Sequence, residues 1–219
     1  MSDGLRARLT ALLEPGERVI LGITGCPGSG KSTLAEWVLR QAGAQTQVAW
    51  VPMDGYHLAD SELDRLGLRG SKGAIDTFDA YGYLATLRRI RSERANIVYA
   101  PEFDREIEQP IAGGMAVTPA DRLIVTEGNY LLDASPPWPD VRAELDEVWY
   151  CEVSDELRRE RLVARHVRFG KTPDQARRWV DEVDEANAGR IVASRDRADL
   201  IVPTDTFDLL PSDPWRPGS

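Results

Sequence analysis

"GITGCPGSGKST", residues 22–33, decides the fold. It follows a short apolar run, "RVILGITG" (18–25), and leads into "STLAEWVLRQAG" (32–43), which has helical periodicity and closes on Gly43. Gly25-Cys26-Pro27-Gly28-Ser29-Gly30-Lys31-Ser32 fits G-x-x-x-x-G-K-[ST] between a strand and a helix, the context that a phosphate-binding loop requires. Glycines let backbone N–H groups wrap a phosphate, and the helix N-terminus adds the positive end of its dipole. The expected phosphate contacts are Gly25, Pro27, Gly28, Ser29, Gly30, Lys31, Ser32 and Thr33. Lys31 would neutralise the β/γ oxygens of ATP or GTP, and the Ser32 hydroxyl would complete the coordination of Mg²⁺.

Outward from this loop, the runs "VAWVPM" (48–53), "LIVTEG" (123–128), "EVWYC" (147–151) and "LIV" (200–202) read as further strands. They are continuously apolar, as strands covered on both faces are. Helical patterns lie between them: Leu5 to Leu13 ending at Glu14-Pro15-Gly16, residues 80–94 capped by Asp79, and a helix opened by Ser154. "TPDQ" (172–175) reads as a capping box starting a helix that runs to about Gly189. Alternating strands and helices predict an α/β fold, three layers α/β/α around a five-stranded, mostly parallel sheet, with a small helical lid at about 158–175. Residues 1–203 are expected to form one domain and 204–219, rich in Pro, Asp and Ser, a loosely ordered tail.

The 219 residues are long enough to bury a core unaided by disulfides or metal, and the two cysteines give no disulfide framework. A formal net charge of −9 argues against a nucleic-acid partner. With no signal-like or membrane-length apolar stretch, a cytoplasmic protein without membrane contact is expected. Oligomeric state stays open, a homodimer being one option. Neither the N-K-x-D segment of GTPases nor the L-S-G-G-Q of transport ATPases occurs, and the strand that should end in a Walker-B aspartate offers Glu127. That leaves transfer of the γ-phosphate to a small acceptor. The competing reading is a nucleotide-dependent switch or partner-binding ATPase without a small-molecule acceptor.

A kinase of this kind needs a carboxylate beside the acceptor hydroxyl. Asp54, after the second strand, falls where strand C-termini line the ligand crevice. Arg158, Arg161, Arg165 and Arg168 recur along one helical stripe, which reads either as a solvated charged face or as a phosphate clamp next to a lid turn, "FGKTPD" (169–174).

Together with the loop, "MDGYHL" (53–58), "KGAIDTFD" (72–79), "YAPEFDREI" (99–107), "TEGNYLL" (126–132), "RLVARHVRFGK" (161–171) and "NAGRIVASRDRADLIV" (187–202) resemble the P-loop small-molecule kinases that include uridine kinase, phosphoribulokinase and type I pantothenate kinase. The likeness runs from about Arg18 to Val202 and is greatest to short bacterial nucleoside/nucleotide kinase-like and fructose-transport-kinase-like members. It implies an ATP- and Mg²⁺-dependent kinase. Asp54 becomes the base or hydroxyl-orienting group, Glu127 the acid near magnesium and acceptor, Arg165 a lid arginine on the phosphates with Arg168 its helper, and Asn187 a neighbour of adenine. The acceptor-binding histidine of uridine and pantothenate kinases has no counterpart in "YAPEFDREI", which offers Asp104 and Arg105 instead. That pair would suit a polyhydroxyl or carboxylate acceptor, or form a structural salt bridge. Tyr56, His57, Lys72 and Asp79 are further acceptor-side candidates, and the acceptor itself is expected to be a sugar-like, nucleoside or pantothenate-like alcohol.

Overall fold

The computed structural model describes residues 3–14 and 16–205. Its strands are β1 (Val19–Thr24), β2 (Val48–Trp50), β3 (Val98–Asp104), β4 (Gln109–Val117), β5 (Leu123–Glu127), β6 (Glu147–Glu152) and β7 (Leu200–Pro203). Its α-helices are α1 (Asp3–Leu13), α2 (Lys31–Gly43), α3 (Asp60–Leu66), α4 (Ala80–Ser92), α5 (Trp138–Ala143), α6 (Asp155–Arg168), α7 (Pro173–Trp179) and α8 (Glu185–Val192).

Five strands make the main sheet in the order β2-β5-β1-β6-β7, and every pairing in it is parallel. The pleat sends alternate side chains of β1 to opposite faces. Leu21 and Ile23 meet α1 and α2 through Leu5, Leu34 and Val38, whereas Ile20 joins the cluster holding Leu84, Trp138 and Ile191. Full burial of each such aliphatic side chain contributes about 1.5–3 kcal/mol, so the two clusters hold helices on both faces. No helix among the described residues is long and apolar enough to cross a membrane.

The helix signals in the sequence correspond to physical caps. Asp79 accepts a hydrogen bond from Gly82 N at 2.8 Å. Thr172 and Gln175 form the expected capping box, with proline at the first helical position. The helix begun there runs past Gly189 to Val192 through one π-helical turn, Val180–Asp184. Ser154 precedes α6, but its side chain makes no capping bond; its N–H donates to Asp205 instead.

The structure adds an antiparallel hairpin, β3–β4, that periodicity does not signal. Its buried end, Val98, Ala100 and Val117, joins the core, and Arg105 at its tip reaches Asp54, just after β2. Thr204 is also buried, donating to Ser29 O at 2.6 Å, so ordered structure passes the expected boundary at 203. The remaining tail expectation, from 206 on, lies outside the described residues.

Candidate active site

The phosphate loop joins β1 to α2 and turns on glycines. Gly28 has φ +81°, and a Cβ there would lie 2.8 Å from Arg158 O and 2.9 Å from Leu162 Cγ. A side chain would therefore push the loop off α6. Arg158 is the reason α6 can approach so closely: buried to 2% exposure, it bonds Asp155 at 3.2 Å and Glu185 at 2.5 Å. Lys31 is enclosed as well. Its ammonium donates to Gly25 O and Cys26 O, each at 3.0 Å, and burial lowers its pKa against the pull of Glu127, Cys151, Cys26 and Asp54. Such a cation gains from an incoming anion.

Ser32 Oγ donates to Glu127 Oε1 at 2.8 Å. Glu127 closes β5, and burial and then the charge of Asp54 raise its pKa, while Lys31, Ser32 and Arg105 act the other way. A buried carboxylate beside a hydroxyl and near a second carboxylate is a donor set suited to a hard divalent cation. The phosphate loop also has one orphan: Ser29 Oγ is buried without a partner among the described residues. The loop's left-handed glycines, the enclosed ammonium and the unpartnered hydroxyl fit a bound polyphosphate.

Asp54 lies in a 3-10 turn, Met53–Tyr56, directly after β2. This turn is fixed by close contact with the hairpin, because a Cβ on Gly55 would lie 2.2 Å from Pro101 O. His57 follows it, its ring between Phe78 (4.1 Å between centroids) and Phe103 (4.8 Å). Its Nδ1 lies 2.8 Å from the Asp54 carbonyl oxygen, which can only accept, so Nδ1 carries the proton. Burial lowers the His57 pKa despite Asp54, leaving the ring neutral at pH 7 with Nε2 as a hydrogen-bond acceptor.

Arg105, at the hairpin tip, reaches back to Asp54 at 3.4 Å, with side chains 52% and 34% exposed. Arg165, on α6, makes no hydrogen bond or ion pair among the described residues. It keeps access to solvent, yet enough protein surrounds it that desolvation lowers its pKa; Asp184, Asp54 and Glu127 oppose the shift and Arg105 adds to it. Asp54, Glu127, Arg105 and Arg165 therefore share one electrostatic neighbourhood at the C-terminal edge of the sheet.

Other candidates fall elsewhere. Tyr56 belongs to the core, its ring 5.0 Å from Tyr83 and its hydroxyl pKa pushed up to about 12 by burial. Asp79 is committed to its helix cap. Lys72 is tied to Asp60 at 2.8 Å and Glu108 O at 2.5 Å, pinning the hairpin tip. Asp104 and Arg105 do not pair: Asp104 accepts from Glu106 N and Ile107 N to close the turn. The arginine stripe also divides. Arg158 is a buried strut and Arg161 donates to Thr204 O, whereas Arg165 and Arg168 lie further along α6. Asn187, half-buried on α8, precedes Ala188, whose carbonyl lies 3.8 Å from the Cys26 sulfur. Phe78 and Phe103, the walls around His57, were not singled out from sequence; Phe103 sits in the hairpin that periodicity did not reveal.

A P-loop, an acidic crevice and a cationic helix at the open edge of a parallel sheet define a small-molecule phosphotransferase, and known proteins bear this out. The chain is 34% identical over 211 residues to a Schizosaccharomyces pombe protein provisionally named a uridine kinase, covering 91% of this chain and 89% of that one. An ATP-dependent kinase-like protein of Aspergillus versicolor is 36% identical over 166 residues, 72% of this chain and 96% of its own. A solved Silicibacter structure, provisionally described as a fructose transport system kinase, matches with a TM-score of 0.84 at 36% identity, over 93% of this chain and 100% of that one. No family model matches the chain. The chain belongs to the P-loop small-molecule kinases, the family of uridine kinase and pantothenate kinase.

Proposed function

We propose that this kinase transfers the γ-phosphate of ATP, with Mg²⁺, to a hydroxyl of a small metabolite. The observation that carries the reading is the bond from Ser32 of the phosphate loop to Glu127, with Asp54 acting on the charge of Glu127 and both carboxylates acting on Arg165. Backbone N–H groups of residues 25–33 and the Lys31 ammonium bind and orient the phosphate chain. Lys31 exchanges its loop carbonyls for phosphate oxygens, which returns the charge compensation that burial removed. Ser32 and Glu127 would hold the metal. Among the described residues no group of three or more His, Cys, Asp or Glu side chains could hold a metal by itself, so phosphate oxygens and water would supply the other ligands. A magnesium ion held there would neutralise charge on the phosphates.

Asp54 orients the acceptor hydroxyl and takes its proton. His57 Nε2 accepts a hydrogen bond from the acceptor. Arg165 stabilises the negative charge on the transferring group, and α6 and α7 exclude water by closing over it.

The test is ADP release by the purified protein with ATP and Mg²⁺ against sugars, nucleosides and pantothenate, with Lys31→Ala as blank. Turnover that depends on an acceptor and is absent from the blank supports the reading. Acceptor-independent hydrolysis, together with a partner bound only in the ATP state, would replace it with a nucleotide switch.

A further inference from the structure

The arginine at the hairpin tip spends little of its bonding capacity within the protein. The cations of the crevice have different commitments. Lys31 is enclosed by carbonyls of the phosphate loop. Lys72 is committed to Asp60 and Glu108 O. Arg165, on α6, is desolvated and feels Asp184, Arg105, Asp54 and Glu127. Arg105, at the hairpin tip, has a single long contact, 3.4 Å, to one oxygen of Asp54. Glu106 and Glu108 flank it in sequence, but neither forms an ion pair with it. Its other N–H groups make no hydrogen bond among the described residues.

The backbone that carries this guanidinium is nonetheless pinned. Asp104 closes the turn by accepting from two backbone N–H groups. Lys72 holds the tip through Glu108 O and stands 5.4 Å above the Phe103 ring. Phe103 packs on His57, and Pro101 packs on Gly55. A planar fork of donors is thus held beside the proposed base on a pinned support, with most of its bonding capacity unused. Remaining on Asp54 would oppose the chemistry, because a base that must accept a proton works against a neighbouring cation.

We infer that Arg105 binds an oxyanion of the acceptor, so that the acceptor is an anionic alcohol: a hydroxy acid or a phosphorylated polyol, with the reactive hydroxyl a few bonds from the anionic group. The anion draws the guanidinium from Asp54 as the hydroxyl enters, which frees the base only when the correct acceptor is present. Neutral sugars and nucleosides lack that group. The inference rests on the kinase reading above and narrows its acceptor class.

Matched acceptor pairs test it: glycerol against glycerate for the carboxylate source, and ribose against ribose 5-phosphate for the phosphate source. ADP release would be measured for the unaltered enzyme, Arg105→Gln and Arg105→Lys, alongside the affinity of each for an ATP analogue. The anionic member of one pair should exceed its neutral partner at least about 10-fold in kcat/KM, the weight of one charge-assisted contact. Arg105→Gln should remove that preference, chiefly by raising KM, and Arg105→Lys should restore part of it. ATP-analogue affinity should be kept in both variants, which also shows them folded. Preference for the neutral members, or equal losses on both members in Arg105→Gln, would overturn the inference and leave the kinase standing. A complete absence of acceptor-dependent ADP release with these four and with the sugars, nucleosides and pantothenate of the first panel, with ATP bound, would overturn the kinase reading and this inference with it.

Discussion

The two sides of the crevice are built by different means. On the nucleotide side the groups are buried and bonded to backbone: Lys31 to two carbonyls, Ser32 to Glu127, Thr204 to the loop at Ser29, and α6 packed on Gly28. On the side proposed for the acceptor, Asp54 and Arg105 stand on a short 3-10 turn and a hairpin tip, both substantially open to water. Exposed ion pairs are worth at most about 1 kcal/mol, so the Asp54–Arg105 contact can be exchanged for a ligand at little cost. A phosphate chain is the same in every reaction of the family and can be met by rigid backbone. The acceptor varies, and it is met by side chains on elements that can differ without disturbing the sheet.

Substitutions can break or sharpen this contrast. The largest effect is expected from Lys31→Ala. It removes a preorganised charge from a water-poor site, and turnover should fall by about 10³-fold or more. Steady-state ADP release measures it, and near-normal turnover would contradict the mechanism.

Glycines on the two sides offer a matched pair. Gly28→Ala forces a side chain into a left-handed backbone position 2.8 Å from Arg158 O. Gly55→Ala places a Cβ 2.2 Å from Pro101 O. Each should destabilise the fold by about 1–3 kcal/mol, read by chemical denaturation. Their kinetic effects should separate, with Gly28→Ala weakening ATP binding and Gly55→Ala raising the acceptor KM. The same pattern from both would mean that the crevice is one rigid unit.

The smallest effect concerns neither substrate. Asp133 holds Arg190 at 2.5 and 2.9 Å, fastening α8 to the segment after β5. Burial opposes its charge, but Arg190 and Ser135 outweigh that and hold its pKa down to about 2. A carboxyl held below its ordinary value stabilises the fold above the ordinary carboxylate range, and this is lost as pH falls toward 2. Asp133→Asn should cost about 1–2 kcal/mol at neutral pH, allowing for the solvent screening of Arg190. The difference from the unaltered protein should shrink on acidification; a difference independent of pH would mean that packing, and not charge, fastens α8.

The nucleotide side was readable from sequence because backbone geometry writes itself into residue types. Glycines, the lysine and the serine stand at fixed spacing, and the five apolar runs became the five parallel strands of the main sheet. The caps at Asp79 and Thr172 were legible for the same reason. The acceptor side was less so. The hairpin has one face partly open and carries Ala112-Gly113-Gly114 inside a strand, so neither continuous apolarity nor clean alternation marks it. Its pairing brings Phe103 and Arg105 to residues some fifty positions earlier in the chain, a contact that no local pattern encodes. Tyr56 shows the converse. Its place within "MDGYHL" suggested the crevice, but the 3-10 turn rotates it into the core against Tyr83.

The central claim is that nucleotide binding and activation of the acceptor belong to separate structural sides. Asp54→Asn tests it most directly, with ATP-analogue affinity and acceptor-dependent ADP release measured on the same preparation. The account predicts an affinity within about 3-fold of the unaltered protein and a turnover lower by about 10²–10⁴-fold, the usual contribution of a positioned general base. Loss of ATP binding in Asp54→Asn, or turnover that survives it, would contradict the account.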